Sequence, residues 1–170
     1  YEAGVKFDGG DFGATLSAFT LSKPIAFVTD GVFGVNGSQR HQGIELSVFG
    51  QPVEGVRVIG GMTLLDPRMR RTGNPAIDGN DPVGVPQFQI NVNMEWDVPF
   101  APGLTLDGRV VHTGTQFIDA SNAFTVPSWT RLDLGARYAL ELFGTDMTLR
   151  ARVENVANKG YWASVGGFPG

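Results

Sequence analysis

The sequence contains no cysteine, which excludes a disulfide framework and a thiolate metal site. Its 13 basic and 17 acidic residues give a formal charge of −4, so no nucleic-acid partner is expected. Charged residues make up only 18% of the chain, below the roughly 25% of a typical soluble domain. No apolar run approaches the roughly 18 residues of a transmembrane helix, and no N-terminal segment has a signal-peptide layout.

Residues that could perform catalysis or hold a metal are few and scattered. His41 and His112 stand about seventy residues apart, outside any motif of spaced metal ligands. The DGND stretch at 78–81 lacks the full spacing of a calcium loop. No phosphate-binding glycine loop and no nucleophile elbow occur in the sequence. We therefore expect neither an enzyme nor a bound cofactor or metal.

What the sequence does have is alternation of polar and apolar residues. In the stretch PQFQINVNMEWDV (86–98) every second residue after the proline is apolar, so one face of an extended strand is apolar and the other polar. Glycine and proline interrupt nearly every window that could hold a helix, which predicts an all-β protein. Eight strands are predicted, over residues 1–7, 12–22, 39–50, 56–66, 86–98, 104–115, 129–140 and 147–157.

The connections between these strands alternate between short and long. Short turns rich in Gly, Pro and Asp are predicted at 8–11, 51–55, 99–103 and 141–146, and longer connections at 23–38, 67–85, 116–128 and 158–170. In an antiparallel up-and-down meander, alternate connections lie at the same end of the sheet. All short turns would then lie at one end and all long loops at the other, as in bacterial outer-membrane barrels.

Several other features agree with a membrane barrel, although they leave alternatives open. Most predicted strands are near the ten residues that a tilted strand needs to cross a bilayer. Trp96 and Phe100 lie near a short turn, whereas Trp129, Tyr161 and Trp162 lie near long loops, as two interfacial belts of aromatic residues require. A self-contained eight-stranded outer-membrane barrel and a soluble ligand-binding β-barrel remain alternatives, since the apolar face could pack against a core instead of lipid.

The predicted long loops contain the candidate ligand-binding residues. Arg68, Arg70 and Arg71 lie close together in the predicted loop 67–77, where they could bind an anionic ligand or lipopolysaccharide phosphates, or could simply be solvated. The other loops hold aromatic residues that could form a ligand platform or pack within the loops themselves. These aromatic residues are Phe117, Phe124, Trp162 and Phe168.

Three stretches resemble a known family, in the order in which that family has them. QRHQGIELSVFG (39–50) resembles the R-x-x-G-[IV]-E strand of TonB-dependent siderophore receptors. VPSWTRLDLGARY (126–138) is similar to the P-x-[YW]-T-R-x-D-L-G-A-R-Y stretch of the ferrichrome and ferric-hydroxamate branch, and RVENVANKGYWAS (152–164) to the near-C-terminal signature of these receptors.

The resemblance implies a fold and a function. It implies a 22-stranded outer-membrane barrel around an N-terminal plug, which takes up a ferric siderophore when the TonB complex acts on the plug. Residues 1–170 would be a C-terminal portion of about eight strands, without the plug, the TonB-contacting box or the final strand. The implied partners are a ferric siderophore, outer-membrane lipid and, through the plug, the TonB complex. The family also implies ligand contacts from the last extracellular loop, which here contains Trp162 and Phe168.

Overall fold

Ten antiparallel strands form the regular structure of residues 1–29 and 31–165, which are the residues that the computed structural model describes. Eight of them make one sheet in the order β1-β2-β3-β4-β5-β6-β9-β10, and β7 and β8 pair separately. The predicted all-β antiparallel meander is thus confirmed. Within the described part of the chain, no helix is long and apolar enough to cross a membrane. The strands are β1 (Glu2–Asp8), β2 (Phe12–Thr29), β3 (Val32–Val53), β4 (Val56–Arg70), β5 (Phe88–Asp97), β6 (Leu104–Thr113), β7 (Gln116–Phe117), β8 (Thr125–Val126), β9 (Trp129–Leu142) and β10 (Thr145–Val153).

The sheet is an open wall. In the described residues β1 pairs only with β2, and β10 pairs only with β9. A self-contained eight-stranded barrel would instead require β1 and β10 to pair with each other. The structure therefore does not support that alternative.

The prediction of a long loop at 23–38 was wrong, because these residues extend a hairpin. β2 and β3 stay paired along this segment, with one register shift beside Ile25 and Ala26. Gly31, with φ of 78°, lies in the turn. Beyond Ser38 the hairpin has no further strand beside it among the described residues, and Pro24 lies in this two-stranded part, where an edge tolerates the missing N–H. Several β-branched and aromatic residues favour the extended conformation, namely Ile25, Val28, Val32, Phe33 and Val35.

Two other predicted boundaries also change. β4 continues through Pro67 to Arg70, because the long β3 offers partners for these residues down to Ser38. Arg68 and Arg70 therefore lie on a strand and not in a loop, contrary to the prediction, whereas Arg71 follows the strand with φ of 56°. The turn predicted at 141–146 shortens to Phe143 and Gly144, whose φ values of 53° and 72° are those of a two-residue hairpin turn.

The two faces of the sheet differ, and neither contains a core. Among the hydrophobic side chains that the structure describes, only Met69 and Val98 are buried. One side of the sheet, called here the apolar face, carries hydrophobic side chains that remain largely exposed. The pairings place on this face Leu16, Ile44, Leu64, Met94, Leu134 and Leu149, all more than two-fifths exposed. A soluble barrel would bury such residues, so this exposure indicates an apolar environment outside the sheet.

The opposite side, the polar face, carries a connected set of charges near the short turns. Arg57 donates to both carboxylate oxygens of Asp97, at 2.5 and 2.7 Å, and to Glu95 at 3.1 Å. Thr105 also donates to Asp97 at 2.7 Å, and Arg137 lies 3.6 Å from Glu95. These five side chains cross-link β4, β5, β6 and β9, and they show that Glu95 and Asp97 share the polar face, as predicted.

Candidate functional site

The long connections lie together at one end of the sheet, called here the long-loop end. Thr72 is the second residue of connection 71–87. Its backbone N–H and hydroxyl both donate to Asp78, at 2.8 and 2.6 Å. Thr72 is only 1% exposed, so these bonds hold the start of the connection against its middle. The hydrogen bonds from Thr72 to the charged carboxylate hold the pKa of Asp78 below its ordinary value.

Asp81 anchors the same connection to the sheet. Its carboxylate accepts a hydrogen bond from Arg68 at 2.9 Å and from the side-chain amide of Gln87 at 2.6 Å. Arg68 also contacts Asp66 at 2.8 Å. The Asp81 side chain is 4% exposed, so this is a buried and fully partnered carboxylate. The predicted binding residue Arg68 thus has two carboxylate partners of its own.

Connections 71–87 and 114–128 are joined to each other by a reciprocal pair of hydrogen bonds. The backbone N–H of Asp81 donates to Asn122 Oδ1 at 2.8 Å, and Asn122 Nδ2 donates back to the Asp81 carbonyl at 2.9 Å. Asn80 Nδ2 donates to the Ala120 carbonyl at 3.0 Å, and the Gly84 N–H to the Phe117 carbonyl at 3.0 Å. We call this set of contacts the loop clasp. No sequence spacing indicated it, because its residues are about forty positions apart.

Connection 114–128 is also ordered internally. Asp119 accepts hydrogen bonds from the backbone N–H groups of Phe124, at 2.8 Å, and Ala123, at 3.1 Å, and from the Ser121 hydroxyl. These bonds, led by that from Ser121, lower the pKa of Asp119. Although its backbone is held, Phe124 is 67% exposed, whereas Phe117 is half-buried on the short strand β7.

The segment after β10 returns to β9. Asp133 accepts the Asn155 N–H at 2.8 Å, and Tyr161 stacks on Trp129 with 4.2 Å between ring centroids. Trp162, next to this stacked pair, is 69% exposed. The predicted site residue Phe168 lies outside the described residues.

The last described residues also approach connection 71–87. A Cβ built on Gly84, whose φ is 73°, would lie 2.6 Å from Val165 Cγ2. Connection 71–87 therefore contacts both connection 114–128 and the segment after β10, which carry the exposed Phe124 and Trp162. No group of three or more His, Asp or Glu side chains that could hold a metal occurs in the described part of the chain.

Comparison with known proteins identifies the architecture. The profile of the family described as "TonB dependent receptor-like, beta-barrel" matches residues 1–156. This chain belongs to the TonB-dependent receptor β-barrel family. Its sheet is a segment of the wall of a 22-stranded type of barrel in the bacterial outer membrane, as the resemblance implied.

Individual relatives agree with this membership. The TonB-dependent receptor chain is 44% identical over 166 residues to the ferrichrome receptor FcuA of Yersinia enterocolitica, covering 96% of this chain and 22% of that protein. It is 32% identical over 171 residues to the metal-pseudopaline receptor CntO of Pseudomonas aeruginosa, covering 95% and 24%. BauA, the ferric preacinetobactin receptor of Acinetobacter baumannii, has a TM-score of 0.86 and 41% identity, over 95% of this chain and 25% of that one.

These relatives are receptors by name, and the TonB-dependent receptor chain spans about a quarter of their length. In such a barrel the apolar face contacts lipid and the polar face lines the interior. The short turns then lie on the periplasmic side and the long-loop end is extracellular. The loop clasp and the exposed aromatic side chains therefore lie at the extracellular end of the barrel wall.

Proposed function

We propose that residues 1–170 are a C-terminal portion of the barrel of an outer-membrane receptor that binds a ferric siderophore and imports it. The plug and its contact with the TonB complex would belong to other parts of the parent protein. In this role the chain binds and passes its ligand, and makes or breaks no bond in it. The names of the relatives, which include ferrichrome, metal-pseudopaline and ferric preacinetobactin receptors, support this class of ligand.

The observation that carries the proposal is the exposure of large aromatic side chains on fixed loops. Trp162 and Phe124 are each about two-thirds exposed, and the segments that carry them both contact connection 71–87 at the extracellular end. Leaving such rings in water is unfavourable, and covering them with the organic shell of a chelate recovers hydrophobic free energy. Because the loop backbones are already hydrogen-bonded, little ordering entropy opposes binding.

The proposal divides the predicted site residues by role. Trp162, Phe124 and Phe117 would contact the chelate, and Phe168 would join them from outside the described residues. Arg68 would position connection 71–87 through Asp81 and not contact the ligand, because carboxylates already occupy its guanidinium.

Equilibrium binding to the purified complete receptor tests this proposal. The probes are ferrichrome, ferrioxamine B and ferric preacinetobactin, each loaded with radioactive iron. Phe124→Ala and Trp162→Ala should each weaken binding of the preferred chelate by about tenfold or more, as truncation of a central aromatic contact does. Phe100→Ala is the matched control, since Phe100 is equally aromatic and 82% exposed but lies at the periplasmic end.

Two outcomes would contradict the proposal. Parental affinity in both loop variants would show that these rings do not contact the chelate. An equal loss in Phe100→Ala would show that the effect does not come from the extracellular end. Absence of binding for all three chelates to the parent receptor would refute the proposed ligand class.

A further inference from the structure

The outward face of the barrel wall carries arginines just beyond its apolar band. Arg40 pairs with Arg68 across β3 and β4, in the same register that pairs Ile44 with Leu64. Residues four apart on a strand point to the same side, so these arginines share the lipid-facing side with Ile44 and Leu64. At about 3.3 Å per residue they lie about 13 Å further along the strands, toward the extracellular end. This places the arginines at the extracellular edge of the apolar face, where lipid headgroups and not hydrocarbon are expected.

Not all arginines at this level form an ion pair with a carboxylate. Arg68 is neutralised by Asp66 and Asp81, as described above. In the described part of the chain, by contrast, no carboxylate lies within ion-pair distance of Arg40, Arg70 or Arg71. The Nε–H of Arg40 is covered and has no acceptor there. An anion that accepts from this guanidinium would satisfy a donor that the described protein atoms leave without a partner.

Arg40, Arg70 and Arg71 line the same groove. They line this open groove together with four hydroxyl-bearing residues, Tyr1, Thr20, Ser22 and Ser38. The acidic residue in the groove, Asp78, accepts two hydrogen bonds from Thr72 and also interacts electrostatically with Arg70. Three guanidiniums are therefore balanced by one carboxylate among the lining residues, which favours an anion rich in oxygen acceptors.

We propose that Arg40, Arg70 and Arg71 form a binding site for a phosphate group on a lipid headgroup of the outer leaflet. On the lipid-facing side, the Gln42–Asp66 pair lies between Ile44–Leu64 and Arg40–Arg68. A lipid whose acyl chains lie on Ile44 and Leu64 would therefore place its headgroup at the level of the groove. The site faces away from the barrel interior, and this separates it from the siderophore pathway. It depends on the placement of the chain in the outer membrane and not on the identity of the imported ligand.

The test measures lipid binding to the complete receptor in detergent by native mass spectrometry. The probes are diphosphorylated lipid A, dephosphorylated lipid A and inorganic phosphate. The triple variant Arg40→Gln, Arg70→Gln, Arg71→Gln should bind diphosphorylated lipid A at least tenfold more weakly than the parent, and dephosphorylated lipid A should bind weakly to both. Arg150→Gln is the control for the single variant Arg40→Gln, because it also removes one charge and Arg150 is an exposed arginine on the polar face.

Each outcome decides the question. Equal lipid A binding by the parent and the triple variant would overturn the proposal, as would a loss in Arg150→Gln equal to that in Arg40→Gln. Saturable binding of inorganic phosphate that displaces lipid A would show a site for the free ion instead. If the triple variant does not fold, Arg40→Gln alone should still weaken binding severalfold, and parental affinity in that folded variant would overturn the proposal. Siderophore binding should be unchanged in all of these variants.

Discussion

Removal of the Asn122 side chain should release two extracellular loops at once. Asn122 forms both hydrogen bonds of the reciprocal pair with the Asp81 backbone, at 2.8 and 2.9 Å, and its φ is 58°. Asn122→Gly removes these bonds without adding strain, because glycine adopts positive φ readily. Two hydrogen bonds lost at a buried position cost about 2–4 kcal/mol of local stability. Local opening of the loops should therefore become about 30- to 1000-fold more frequent.

Hydrogen–deuterium exchange of the complete receptor, read on peptides from 71–87 and 114–128, measures this opening. The matched control is Asn158→Gly, since Asn158 also has positive φ, at 49°, in an extracellular connection. It forms no side-chain hydrogen bond in the part of the chain described. Asn122→Gly should accelerate exchange in both peptides, and the control in neither. Faster exchange confined to 114–128 would refute the idea that the loop clasp joins the two connections.

Two further perturbations follow from the same loops. Protection of 71–87 and 114–128 against hydrogen exchange should be constant from neutral pH to about pH 5 and fall at lower pH. Asp78 and Asp119 have pKa values below the ordinary 3.8, so their charged forms stabilise the loops. This contribution is lost when the two carboxylates are protonated. Thr72→Val should lower the protection of 71–87 at neutral pH and make its further loss in acid smaller, because the pKa of Asp78 then lies closer to its ordinary value. An unchanged exchange profile would contradict the role of Asp78. Gly84→Ala should displace Val165 and expose the segment after β10 to faster exchange. Gly79→Ala is its control, with φ of 89° and open space around the added Cβ; equal exchange in the two variants would mean that the 2.6 Å approach has no structural effect.

Much of the fold could be predicted because strand formation leaves a local pattern. The alternation in 86–98 depends only on neighbours two residues apart, and β5 forms there with its polar residues on one face. The family could be identified from three short stretches, because each of them is a local motif. The extension of the β2–β3 hairpin through 23–38 could not be predicted, because Pro24, Gly34 and Gly37 are typical of loops. An exposed two-stranded ribbon tolerates such residues where an interior strand does not.

The candidate site, too, could be predicted only in part from the sequence. The aromatic residues of the loops could be named from composition and position, and Phe124 and Trp162 are indeed exposed at the extracellular end. Whether they contact a chelate stays a prediction. Arg68, Arg70 and Arg71 looked alike as a basic run, yet Arg68 forms ion pairs with two carboxylates and the other two form none among the described residues. That difference arises from Asp81, which is distant enough in sequence to give no periodic signal.

The sequence by itself thus determined the all-β meander, the polar and apolar faces, the end at which long loops gather, and the family. These properties come from short-range alternation, turn composition and motifs, all of which are local. Only the tertiary structure decided that β4 extends to Arg70, that Asn122 bonds to Asp81, and that Arg40 lies beside Arg68 across β3 and β4. Strand register sets which face a distant residue shares, and register is a property of paired strands and not of one segment.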